Sequence, residues 1–168
     1  MITHVQEVTF PNHVDTITIA GTLTLPSKEG IFPAVLLVSG MGPNDRDYTM
    51  LGHKLFLLLS NYLIQQGIAV LRVDKRGVGK STGTLDASVT SQDLARDVQA
   101  GVAYLKTRKE IDPRRIGLIG HSEGGMIAAM VAAERTDIHF MILLAGPGIK
   151  GADLLEEQGE KLILSLLF

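Results

Sequence analysis

Ile116-Gly-Leu-Ile-Gly120-His121-Ser122-Glu123-Gly124-Gly125-Met-Ile-Ala-Ala-Met-Val-Ala-Ala133 is the stretch that decides the fold. An apolar run of strand character enters Gly120-His-Ser-Glu-Gly124, a G-x-S-x-G pattern, and leaves it as a helix-forming run. Such a strand–turn–helix places a serine hydroxyl on a tight turn above a sheet. Gly120 and Gly124 fit a turn where strand and helix pass too closely for a Cβ. The amide of Glu123 then points from a helix N-terminus, where the dipole favours negative charge. Ser122 is therefore the candidate nucleophile.

Outward from this turn the chain alternates. Upstream lie β-branched or apolar runs at 5–10, 16–25, 34–39 and 68–73, and downstream one at 140–145. The run at 34–39 is continuously apolar, as expected of a strand covered on both faces, and 140–145 is expected to be another buried strand. Pro11-Asn12 and Pro26-Ser27 supply breaks. Between the runs, 53–66 carries Leu55, Leu58, Leu59, Tyr62 and Leu63 at helical spacing, with Gly67 where a helix C-terminus calls for glycine. Residues 90–108 carry Leu94, Val98, Val102 and Leu105 on one stripe, behind a capping box of Thr90 and Asp93. The tail, 152–168, has the pattern of a further helix. Two leading strands followed by alternating helices and strands predict an α/β fold, a mostly parallel sheet with helices on both faces.

Composition bounds the rest. The 168 residues are 45% hydrophobic and 20% charged, as in an ordinary globular chain. A single domain, 1–168, accounts for them. Net charge is −2, from 16 basic and 18 acidic residues without a basic stripe, which argues against a nucleic-acid partner. Cysteine is absent, so thiolate chemistry and disulfides are excluded. No apolar run approaches the ~20 residues that span a bilayer, and no leader pattern opens the chain, so a cytoplasmic protein without a membrane partner is expected. No metal-ligand spacing occurs, and serine-based acyl transfer needs no cofactor. Asp74-Lys-Arg-Gly-Val-Gly-Lys80-Ser81 contains Gly-Lys-Ser but has Asp74 where a phosphate-binding loop requires its first glycine.

Three motifs in order, Ser39-Gly-Met-Gly-Pro-Asn-Asp-Arg-Asp47, Asp74-Lys-Arg-Gly-Val-Gly-Lys-Ser81 and Gly120-His-Ser-Glu-Gly-Gly125, resemble the α/β-hydrolase superfamily. The likeness is to the serine esterase and peptidase branch similar to dienelactone hydrolases and prolyl oligopeptidases. It implies an acyl-enzyme on Ser122, an oxyanion hole made by the N–H groups of Met41 and Glu123, and a small-molecule ester or acyl substrate. It casts Asp74 and Arg76 as loop braces and His121 as a brace of the elbow.

The family's triad continues with an acid after a seventh strand and a histidine after an eighth. About six strands are countable here, strands seven and eight are not, and no histidine follows His139. Asp153, Glu156, Glu157 and Glu160 fall too early to match the acid. Of the histidines, His4 and His13 are expected at the surface and His139 at the wrong end of the sheet. His53, at the start of the first helix near the oxyanion loop, is the candidate substitute base. Two readings follow. Either the chain is a serine hydrolase whose base comes from elsewhere, or it is a C-terminally incomplete half-domain. In the second case it acts as a fragment, a partner in an assembly, or a homo-oligomer pairing along the open sheet edge.

Overall fold

A computed structural model describes residues 3–149, 153 and 156–161. Its strands are β1 (His4–Asn12), β2 (Ile17–Leu25), β3 (Phe32–Val38), β4 (Thr49–Met50), β5 (His53–Lys54), β6 (Ala69–Val73), β7 (Ile111–His121) and β8 (Phe140–Leu144). The helices are α1 (Leu55–Gln65), α2 (Ser91–Thr107) and α3 (Glu123–Glu134). Six strands form one sheet in the order β1-β2-β6-β3-β7-β8, while β4 and β5 make a separate small hairpin. The pairs β6–β3, β3–β7 and β7–β8 are parallel, and β1–β2 and β2–β6 antiparallel.

Alternation along β3 shows how the sheet is covered on both faces. Leu36 and Val38 join the core under α2 and α3 with Leu118, Val98, Val102 and Ile127. Val35 and Leu37 face the other way, onto Phe56 and Ile64 of α1. The period of two along a strand sends neighbours to opposite faces, so a continuous apolar run is what a sandwiched strand requires.

Most expected elements recur. The capping box at Thr90 forms, and Leu94, Val98, Val102 and Leu105 are all buried. Gly67 follows the last turn of α1 at φ 82°, a left-handed position that favours glycine.

Four expectations change. Pro11 and Asn12 do not break β1 but pair with Thr18 and Ile17; β1 is an edge strand, where a missing N–H is tolerated. The strand before the elbow starts at Ile111, with a register shift between Phe32–Ile111 and Ala34–Ile116 that absorbs Pro113. Helix α1 begins at Leu55, so His53 belongs to β5, and the helix buries Phe56, Ser60 and Ile64. Leu55, Leu58 and Tyr62 of the predicted stripe stay 40%, 62% and 61% exposed, because a helix apolar nearly all round does not reveal by spacing which face turns inward. Finally, β8 is not buried: Phe140, Met141, Ile142 and Leu143 are 37–46% exposed. Of the helix expected over 152–168, residues 156–161 are helical and the rest lies outside the described residues, apart from residue 153.

Candidate active site

Ser122 stands at the end of β7 and caps α3 with φ 54° and ψ −124°. A non-glycine residue reaches such a conformation only when its surroundings over-determine it. Two contacts do so: its N–H donates to the Leu144 carbonyl of β8 at 2.9 Å, and its carbonyl accepts from Gly125 N–H at 2.9 Å. The flanking glycines are sterically required. A Cβ on Gly120 would lie 2.2 Å from the Gly124 carbonyl oxygen, and one on Gly124 would lie 2.1 Å from that of Val38.

The loop after β3 closes against this turn. A Cβ on Gly40 would come within 3.0 Å of Ser122 Cβ and 2.8 Å of the Tyr48 hydroxyl, so Gly40 itself packs directly against the serine. No hydrogen-bond acceptor within the protein is found for the N–H of Met41 or of Glu123 among the described residues.

Three residues whose roles the sequence did not reveal hold that loop. Asn44 Nδ2 donates to the carbonyls of Gly40, Met41 and Gly42 at 2.8, 3.0 and 3.2 Å. Lys75 Nζ donates to the Gly40 carbonyl at 2.7 Å and to Glu123 Oε2 at 3.2 Å, joining loop to elbow. Burial pushes the Lys75 ammonium pKa down, with the Glu123 carboxylate opposing. Tyr48 is 2% exposed and its hydroxyl lies 2.9 Å from His121 Nδ1. The one signal for Lys75 was its place at the carboxyl end of a parallel strand, where α/β sheets bind ligands.

Asp74 and Arg76 do brace loops. Asp74 Oδ1 accepts from the Arg46 backbone N–H at 2.9 Å and its Nε at 3.1 Å, and Oδ2 from Arg46 Nη2 at 2.7 Å and Lys80 N–H at 3.1 Å. Burial alone would raise the Asp74 carboxyl, but these donors outweigh it and hold its pKa below the usual value. Arg76 bonds Asp97 Oδ2 at 2.7 Å and Asp15 Oδ2 at 2.6 Å, tying the β1–β2 turn to α2. In the Gly-Lys-Ser segment, Ser81 Oγ donates to the Asp74 carbonyl at 2.7 Å and accepts from Ala20 N–H at 2.9 Å. It is turned inward as a loop tie.

The histidines are dispersed. His53 is exposed and pairs across the hairpin with Met50, and no hydrogen bond joins it to Ser122 among the described residues. His139 lies before β8, with its N–H on the Ile116 carbonyl, at the opposite end of the sheet from Ser122. Among the described residues no group of three or more His, Asp or Glu side chains is placed to hold a metal, and no helix is long and apolar enough to cross a membrane.

The sequence profile of the family described as serine aminopeptidase, S33, matches residues 33–167. Esterase EstD of Thermotoga maritima is 34% identical over 138 residues, 82% of this chain and 32% of the relative. Among solved structures, the esterase Pf2001 of Pyrococcus furiosus superposes with a TM-score of 0.76 at 22% identity, over 96% of this chain and 59% of that one. Est1E of Butyrivibrio proteoclasticus, solved with ferulic acid, gives 0.70 at 25% identity over 83% and 52%. The chain thus spans about a third of the length of curated relatives such as EstD and about half that of the solved ones.

Proposed function

The chain belongs to the serine aminopeptidase, S33, family and has the α/β-hydrolase fold, and from that premise we propose that it hydrolyses small carboxylic esters through an acyl-enzyme on Ser122. The observation that carries this reading is the serine at φ 54° on the β7–α3 turn, with the Gly40 loop packed against it. Ser122 Oγ attacks the ester carbonyl carbon as a base takes its proton. The carbonyl electron pair moves to oxygen, where the N–H groups of Met41 and Glu123 receive it. Collapse expels the alcohol, which takes a proton, and water then frees the acid. His121 is engaged with Tyr48 and His53 sits on the hairpin. In this reading the base is a histidine supplied to Ser122 from outside the chain, as by a second copy.

The exposed apolar edge of β8 favours a second reading, in which the chain is one part of a hydrolase domain completed by another strand. The two readings differ in what the chain does unaided. In an assay with p-nitrophenyl acetate, the first predicts a serine-dependent rate that Ser122→Ala reduces at least tenfold. An oxyanion hole and binding alone can leave about 10³–10⁴-fold catalysis over water, which Ser122→Ala would retain, so the difference between the two proteins and not turnover itself is the readout. A rate equal in wild type and Ser122→Ala would contradict it.

A further inference from the structure

The two N–H groups assigned above to the oxyanion come from separate segments, the loop after β3 and the first turn of α3, and one side chain reaches both. Lys75 follows β6, and its Nζ donates to the Gly40 carbonyl at 2.7 Å and to Glu123 Oε2 at 3.2 Å. Gly40 C=O and Met41 N–H are the two ends of one peptide unit. In a trans peptide they lie in one plane and point in opposite directions, and no peptide bond among the described residues is cis. Fixing the carbonyl therefore fixes the direction of the N–H. Asn44 Nδ2 donates to the same carbonyl at 2.8 Å, so two donors hold it.

Charge adds to position. Glu123 carries a carboxylate on the residue whose own N–H would meet a developing negative charge. Left unpaired, that carboxylate would oppose the charge; the Lys75 ammonium neutralises it. A charged donor on a carbonyl also polarises its amide, which strengthens the N–H at the other end. The Lys75 side chain is only 8% exposed and that of Glu123 20%, so water screens these interactions weakly. Burying an ammonium is costly, and here it serves two backbone segments at once.

We propose that Lys75 is the positioning residue of the oxyanion hole. It orients and polarises the Gly40–Met41 peptide and neutralises the Glu123 carboxylate, so that the Met41 and Glu123 N–H groups act as one donor pair. This role rests on the hydrolase reading, because the pair needs an oxyanion to receive.

Turnover of p-nitrophenyl acetate and backbone resonances of the 168-residue chain test it together. Lys75→Met should lower kcat about tenfold or more while KM stays within about threefold, because a displaced donor pair is felt in the transition state rather than in binding. Lys75→Arg keeps the charge and the donors and should recover part of the loss. The Gly40 carbonyl carbon and the Met41 and Glu123 amide nitrogens should shift in Lys75→Met and return toward wild type in Lys75→Arg. A side chain that merely stabilises the fold would leave them in place. Should Lys75→Met not fold, Lys75→Gln, too short to reach both partners, replaces it with the same expectation. An unchanged kcat, a loss carried by KM alone, or unmoved Gly40 and Met41 resonances would overturn the proposal while Ser122 stays the nucleophile. A rate equal in wild type and Ser122→Ala would instead overturn the hydrolase reading, and this role with it.

Discussion

At Ser122 the backbone is held in a conformation that an L-residue rarely adopts, and two glycines leave room for it. Their need was visible in the sequence, because close passage of strand and helix can be met only by residues without a Cβ. The loop ties were not visible. Asn44 acts within its own loop, but Lys75 and Tyr48 act on partners brought together by the topology: Lys75 lies 35 positions from Gly40 and 48 from Glu123, and Tyr48 73 from His121. No local pattern encodes such contacts. Gly124→Ala tests the steric argument: its Cβ would meet the Val38 carbonyl at 2.1 Å, whereas nothing lies within 4 Å of a Cβ at Gly148. In urea denaturation Gly124→Ala should lose about 1–3 kcal/mol or more, and Gly148→Ala should stay within about 0.5 kcal/mol of wild type.

Elements were legible where periodicity and end signals agreed. Helix α2 combined a one-sided stripe with a capping box, and both are present in the structure. Because Thr90 accepts from the Asp93 N–H, Thr90→Ala should destabilise the protein by about 1 kcal/mol, read as a lower urea midpoint with an unchanged slope. Where position in the sheet mattered more than composition, the sequence misled. Pro11 is admitted because β1 is an edge strand, and β8 is exposed although Phe140-Met-Ile-Leu-Leu144 has the composition of a buried strand. Burial depends on which neighbours cover a strand, and a run of apolar residues carries no record of them.

Across the whole molecule, the antiparallel β1–β2 pair and the parallel strands are joined by ion pairs that link distant loops. Arg46 reaches both Asp74 and Glu7, and Arg76 reaches both Asp15 and Asp97. Asp74 has its pKa lowered in the fold, so the unfolded chain binds its proton more readily, and stability rises with pH across this window. The contribution is complete above the ordinary value of 3.8 and is lost as pH falls through the lowered native value. Urea titrations between about pH 6 and pH 3 should therefore show stability falling on the acid side, with a shallower fall in Asp74→Asn. The same loops hold Gly40 against Ser122, and in the function proposed above the fold presents an acylating serine. Intact-mass analysis after reaction with a fluorophosphonate probe, with Ser122→Ala in parallel, tests this most directly. One adduct per chain, mapped to Ser122 and absent from the variant, is the predicted result; an unmodified wild-type mass, or an adduct that persists in Ser122→Ala, would contradict it.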